Sequence, residues 1–482
     1  MANLLAVLPE ILLVVLALSL LGIDLALPAE RKRLLGVFTV VGMLAILIVT
    51  LLQPMPTAQT PAFGGMLVVE PVVQVFRVIF LIAGMLAALL SMDFKANDQS
   101  GTYYAMLALT IVGMSLLAGS MDLILLYIAL ELTGITLYIM AASLRNSAFS
   151  AEAGMKYLIF GAVTSTIMLY GISMIFGATG STNLAVVASL FSQLLPLSPV
   201  VLPFAVVMMI LVFVGVGFKI AAFPFQFWAP DVYEGAPTPV AGFISVASKA
   251  AGFVVVLRLV TAFWGQLEGV PVQQLIGVVA ALTMTVGNVM ALTQKNYKRM
   301  LAFSSIAQAG YVLIGVAAGS AMGVAAVAFY LAVYVFTNIA AFGVAVLVGN
   351  VAGDWIRDFA GLNRRSATLT LVLVAALLSL GGVPPFGGFI GKLFLFAAAM
   401  EQGLTWLAVV GALNVILSLY YYLSVLRVTY VEPAEDESEI AIPVATRWAL
   451  GVASLGILVT GIAGYPFFQL ILQAVQLWGL GK

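Results

Sequence analysis

A chain of 482 residues that is 63% hydrophobic and 8% charged, with 20 basic and 20 acidic residues in balance, is not a soluble domain, which carries about 25% charged residues. Its apolar stretches are continuous and lack the alternation of a membrane barrel, so the sequence predicts an all-α integral membrane protein. Cysteine and histidine are both absent, which excludes disulfides, iron–sulfur clusters and thiolate metal sites, and removes both the commonest haem and zinc ligand and the usual proton carrier near neutrality.

At roughly 20 apolar residues per crossing, the length predicts about fourteen transmembrane helices. In chain order they cover 3–24, 34–53, 71–92, 102–119, 122–143, 155–178, 202–222, 239–264, 273–293, 300–319, 324–348, 367–383 with an irregular continuation to 400, 405–429 and 446–472. The first lacks a basic leader and contains Glu10 and Asp24, so it reads as a retained helix and not a cleaved signal. No glycine-rich phosphate loop follows a strand, and no soluble stretch is long enough for a nucleotide domain. No redox cofactor and no nucleic acid is expected on this chain.

The loops on one side hold Arg31, Lys32, Arg33, Lys95, Arg145, Lys295, Lys298, Arg299, Arg357, Arg364, Arg365 and Arg447, with Lys156 close by. The other side offers only Lys482. The positive-inside bias places the basic loops in the cytoplasm and both termini outside. The acidic run from Glu432 to Glu439 then reads as a solvated cytoplasmic loop.

Five basic residues, Arg77, Lys219, Lys249, Arg258 and Lys392, fall within the spans, and Glu131 lies near the middle of the fifth. A central Lys or Arg costs roughly 2.5–3.5 kcal/mol on insertion scales, so all five are expected to be paired, hydrated or turned inward. Arg77 and Arg258 divide evenly between a structural and a functional reading, because an arginine can snorkel and does not release its proton. A desolvated lysine can release one, so Lys219, Lys249 and Lys392 with Glu131 form the set expected of a proton relay. Pro224 follows Lys219 by five residues, and the run GGVPPFGGFIGK leads to Lys392. Both patterns predict a helix broken at membrane depth, where protein or water must satisfy the freed backbone.

The two breaks lie five helices apart and predict two inverted five-helix repeats, spans 4–8 and 9–13, with broken helices 7 and 12 as their fourth members. The expected divisions are an N-terminal three-helix segment at 1–100, repeats at 101–265 and 266–430, and an acidic loop with the C-terminal helix at 431–482. In the second repeat Ser304, Ser305 and Gln308 stand where Glu131 stands in the first.

The segments ALELTGITLYIMA, FKIAAFPFQFWAPDVYEGAPTPV, SVASKAAGF, KRMLAFSSIAQAGY and GGVPPFGGFIGK resemble the antiporter-like membrane subunits of respiratory complex I. Within that family the Pro-Asp-Val-Tyr-Glu-Gly-Ala-Pro run is similar to the subunit N branch of NADH–quinone oxidoreductase. The resemblance implies a carboxylate at Glu131 paired with Lys219, a connecting lysine at Lys249, an exit lysine at Lys392, and a further lysine at Lys156. It also implies a bacterial inner membrane, and partners among other antiporter-like and small membrane subunits. NADH, flavin, iron–sulfur clusters and quinone are then expected elsewhere in the complex. Family members often have histidine where this chain has Gln226 and Gln308, so hydroxyls, Tyr311 or water would serve here. A separate cation/proton antiporter, a ferredoxin-driven photosynthetic complex and a structural spacer remain the alternatives.

Overall fold

The computed structural model describes residues 2–54, 60–95, 100–194, 201–262 and 271–476. The N-terminal part comprises α1 (Ala2–Ala6), α2 (Leu8–Ala26), α3 (Arg33–Leu52) and α4 (Pro71–Ser91). It is followed by α5 (Gly101–Gly119), α6 (Leu123–Ala141), α7 (Ala148–Thr179), the short α8 (Leu184–Leu194) and α9 (Val201–Ile220). After a non-helical turn come α10 (Trp228–Gly235), α11 (Thr238–Phe243), a π-helical turn at Ile244–Ser248, and α12 (Lys249–Ala262). The second half holds α13 (Val272–Ala291), α14 (Tyr297–Ala318), α15 (Ala321–Gly349), α16 (Leu362–Arg365), α17 (Ala367–Gly381), α18 (Gly387–Glu401) and α19 (Thr405–Val431). Two further helices, α20 (Val444–Ile462) and α21 (Gly464–Gln476), close the bundle.

Thirteen helices among the described residues are long and apolar enough to cross a bilayer. The predicted twelfth span is instead two 15-residue helices, α17 and α18, with the prolines between them. The last predicted span is likewise divided at Ala463. Span six begins at Ala148, earlier than the apolar run, because Glu152 and Lys156 form an i,i+4 ion pair at 2.8 Å that keeps the polar turn helical. The hairpin of β1 (Thr60–Ala62) and β2 (Leu67–Val69), and α8, had no counterpart in the predicted elements.

Polar caps punctuate the helices. The Asp122 side chain accepts from the N–H of Ile124 and Leu125 at the start of α6, at 2.9 and 3.1 Å. Ser147, Asn296 and Ser320 do the same for α7, α14 and α15, each satisfying donors that a helix start leaves open. The α11–α12 segment and α14 are buried over almost their whole length, whereas α2 and α3 expose most of their surface. Backbones approach closely where side chains are small: a Cβ on Gly287 would stand 2.5 Å from the Ala307 nitrogen, and one on Gly310 2.5 Å from that of Met284. This locks α13 against α14.

The two halves are tied at one end by Asp93. Its carboxylate pairs with Arg33 at 2.6 Å and accepts from the backbone N–H and hydroxyl of Thr446 at 2.8 and 2.9 Å. Its carbonyl accepts from Asn350 at 2.9 Å. The acidic loop does not simply extend into solvent. Arg365 donates to the carbonyl of Ser438 at 3.2 Å, and Arg364 pairs with Glu437 at 3.5 Å.

Candidate functional site: a buried polar chain

The break after Lys219 begins with Ala221 in the left-handed region at φ 56° and a cis Phe223–Pro224 peptide. Freed backbone groups find partners: Trp228 Nε1 donates to the Phe218 carbonyl at 3.0 Å, and the Phe223 N–H to the Thr283 hydroxyl at 3.0 Å. The Trp228 ring stacks on Tyr157 at 4.4 Å. Lys219 is thereby presented inward on the last turn of α9, buried, and its ammonium donates no hydrogen bond among the described residues. Glu131 is half-buried on α6, and its Oε1 is likewise buried without a hydrogen bond. The two residues form no direct hydrogen bond or ion pair in this structure.

The π-helical turn leads directly into Lys249, whose Nζ donates to both the carbonyl and the hydroxyl of Ser305, each at 2.5 Å. Inserted π turns often accompany functional positions, because they re-aim one residue against the helical register. Tyr233 of α10 approaches the same hydroxyl at 3.5 Å. On α14 the neighbouring Ser304 shares a 2.5 Å hydrogen bond with Tyr422 of α19. Gln308, one turn further, donates to the Tyr422 hydroxyl at 3.3 Å and to the Leu380 carbonyl at 3.2 Å, and accepts from Tyr330.

That carbonyl lies at the second break. Gly382, at φ 75°, ends α17 in a left-handed cap in which Val383 N–H returns to the Leu378 carbonyl. Pro384 has no N–H to offer Leu380, and its oxygen is taken by Gln308 and by Lys392 Nζ, the latter at 2.6 Å. Lys392 also faces the Tyr311 ring at 4.4 Å from the centroid. The structure thus places two hydrogen-bonded groups side by side on α14: Lys249 with Ser305, and Ser304 with Tyr422, Gln308, the Leu380 carbonyl and Lys392.

Tyr422 and Tyr330 were not singled out in the sequence, Ser304 and Ser305 only as counterparts of Glu131, and Gln308 both as such and as a replacement for histidine. Their signal was available: three polar residues within five positions of an otherwise apolar helix. Gln226, at the other position where histidine is frequent, keeps its Oε1 buried without a partner.

Lys156 stands apart from this chain. It is part-exposed at 38%, and pairs with Glu152 at 2.8 Å and Asp231 at 2.6 Å. Arg299 bridges Asp231 at 2.7 Å and Glu234 at 2.8 Å. These five residues border a cavity of about 200 Å³. Partial burial opposes ionisation of Asp231, but hydrogen bonds from Lys156 and Arg299 outweigh it and hold the carboxyl below the usual range. A larger cavity of about 760 Å³ shares Glu234 with the first and is lined also by Lys95, Lys298, Asp354, Arg357 and Asp358.

Both deep arginines are in buried ion pairs. Arg77 binds Glu10 at 2.8 Å and the Ala6 carbonyl at 2.8 Å, and Arg258 binds Glu70 at 2.5 Å and the Ala118 carbonyl. They join α4 to α2 and α12 to the start of α4.

The family model described as NADH:quinone oxidoreductase/Mrp antiporter, transmembrane, matches residues 120–418, a range that holds all five predicted site residues. The NADH-quinone oxidoreductase subunit N of Trichlorobacter lovleyi is 41% identical over 98% of this chain and 97% of its own. The chain belongs to the subunit N family. A chain of respiratory complex I from Thermus thermophilus superposes with a TM-score of 0.80 at 31% identity, over 96% of this chain and 98% of that one. One from an archaeal membrane-bound sulfane sulfur reductase gives 0.86 at 26% identity, over 98% and 97%. The subunit N family thus accounts for the whole length of the bundle, including the N-terminal helices outside the matched range.

Proposed function

We propose that this chain is the proton-translocating membrane subunit of an NADH–quinone oxidoreductase in a bacterial inner membrane, carrying no redox chemistry itself. Electrons pass from NADH to quinone on other subunits, and neighbouring antiporter-like and small membrane subunits contact this one. Basic loops face the cytoplasm and both termini the outer side. α17 and α18 make a fourteenth, interrupted crossing, and two inverted five-helix units carry the relay. The two buried hydrogen-bonded groups that hold Lys249 and Lys392, and that meet at the adjacent Ser305 and Ser304, support this reading most directly.

Glu131 and Lys219 favour each other's charged forms when close, and no hydrogen bond holds them together here. A shift in a neighbouring subunit can therefore change their separation. Moving one charge against 100 mV costs about 2.3 kcal/mol, and a hundredfold change in proton affinity is worth about 2.7 kcal/mol. The scale of the two effects matches. A proton leaving Lys219 passes to Lys249, then along the hydroxyls of Ser305, Ser304 and Tyr422 with water to Lys392. Gln308 orients the phenols and does not carry the proton, because an amide does not titrate here. Cytoplasmic water enters by the larger cavity, and Lys156 with Asp231 borders the smaller one that shares Glu234 with it.

In a reconstituted complex, Lys219→Ala and Lys392→Ala are expected to assemble and to lose proton translocation. Unchanged proton-to-electron stoichiometry in either would overturn the relay. The second reading, a stand-alone cation/proton antiporter, draws on the Mrp part of the family description. Sodium-driven proton exchange by the chain alone in liposomes would favour it.

A further inference from the structure

A second polar cluster leaves Lys392 in a different direction from the relay. The Tyr311 ring faces the Lys392 ammonium, and the Tyr311 hydroxyl accepts from Asn288 Nδ2 at 3.3 Å. Asn288 is completely buried on α13. Its Nδ2 also donates to the side-chain and backbone oxygens of Asn414 at 3.0 and 3.1 Å, and its Oδ1 accepts from Tyr421 at 3.0 Å. Asn414 in turn donates to Thr285 at 3.1 Å and to the Val410 carbonyl at 3.0 Å. Every side-chain polar atom of the two amides is engaged. Since amides do not exchange protons as acids or bases, the two asparagines do not carry a proton themselves. What the cluster fixes is an orientation.

The surroundings of Lys392 give that orientation a use. Among the described residues no carboxylate pairs with Lys392. The titratable groups around it are phenols: Tyr311 of α14, Tyr330 of α15 beside Gly391, and Tyr422 of α19, reached through Gln308. α17 and α21 contain no charged residue, and the one charge on α20, Arg447, is bound to the Ile442 carbonyl. The charged form of Lys392 is left with the Leu380 carbonyl and the face of one ring. A desolvated ring face attracts an ammonium through its quadrupole, whether or not it carries a hydroxyl.

We propose that Asn288, held by Asn414 and Tyr421, positions the Tyr311 ring as the cation-holding face for Lys392, and that Tyr311 acts through this ring and not as a proton carrier. This rests on the reading of Lys392 as a member of the relay. Tyr311 and Asn288 are positioning residues, and the hydroxyl of Tyr311 is the handle by which the ring is held.

The test is proton translocation as a function of pH in the reconstituted complex, with assembly quantified for each variant. Tyr311→Leu removes the ring. It is expected to slow translocation about tenfold at the alkaline end and to move the alkaline limb about one pH unit lower, the scale of a desolvated cation–ring contact. Tyr311→Phe is expected to restore the profile that Tyr311→Leu loses. Asn288→Leu, which keeps the branching at Cγ and removes the polar atoms, is expected to move the limb in the same direction by less. The idea is overturned if Tyr311→Phe is as impaired as Tyr311→Leu, which would make the hydroxyl the working group. An unshifted limb in Asn288→Leu overturns it as well, and this readout stands even if Tyr311→Leu does not assemble. Lys392→Ala separates the two claims. Normal translocation in that variant removes the relay itself, whereas its loss combined with unshifted Tyr311→Leu and Asn288→Leu profiles removes only the positioning role.

Discussion

Arg77 and Glu10 show how one side chain sets the behaviour of another 67 positions away. Both are buried, and the pair is supported by the Ala6 carbonyl. Removing one partner leaves a buried charge uncompensated, which costs about 3–5 kcal/mol, whereas replacing both by apolar or neutral groups of similar volume is often close to neutral. Arg77→Met is therefore expected to lower the thermal unfolding midpoint in detergent strongly, and the Arg77→Met/Glu10→Gln double variant to recover most of the loss. Equal midpoints in the two variants would contradict the pairing. At this scale the sequence identified which residues are costly in a membrane but not which are spent on structure. Arg77 and Lys219 look equally anomalous in a string of apolar residues. Only the fold brings Glu10 to one and leaves the other without a hydrogen-bonding partner.

Among the elements, the two interrupted helices were the most legible, because proline and clustered glycine act on the backbone locally, whatever packs around them. The α20–α21 division at Ala463 precedes Pro466, which has no N–H for the Ile462 carbonyl, and packing adds to it: a Cβ on Gly461 would stand 2.0 Å from the Pro385 carbonyl. Such contacts cannot be read from one segment. Gly382 gives a test at this scale. At φ 75° it is left-handed, and a Cβ there would lie 3.1 Å from Cδ of Lys392. Gly180 caps α7 at φ 68° with open space around it. Both Gly→Ala changes carry a conformational cost of about 1–2 kcal/mol. Gly382→Ala alone is expected to reduce proton translocation several-fold, because it also displaces the lysine. If Gly180→Ala impaired translocation equally, strain and not Lys392 would be the cause.

Across the whole molecule, the most buried helices carry the middle of the polar groups, and the charged network of Lys156, Asp231, Glu234 and Arg299 lies apart from them, where α14 meets the part-exposed cavity. That network joins α7, α10 and α14, and with them the return limb of the first break. Asp231 has a lowered folded-state affinity for protons, so its contribution to stability is complete above the unfolded carboxylate range, near pH 4, and is lost as pH falls through its lower folded value. The difference in unfolding midpoint between the native chain and Asp231→Asn is thus expected to be constant from pH 5 to 8 and to shrink only at more acid pH, within about two units of 4. A difference that vanished near pH 6 instead would assign the linkage to another group. The pairing within this network was not legible in the sequence, since its members come from three separated segments and only Lys156 was singled out, by resemblance.

The clasp at Asp93 has a consequence for the order in which the protein is made. Its partners lie 60 positions earlier, 257 later and 353 later in the chain. A ribosome delivers the N-terminal helices first, so Arg33 can dock on Asp93 early, but Thr446 reaches it only when the nascent chain is almost finished. The first three crossings consequently wait in the bilayer without their final fastening for most of translation. A polypeptide truncated before residue 446 would retain the helices that bear the lysines yet lack the closure between its beginning and its end.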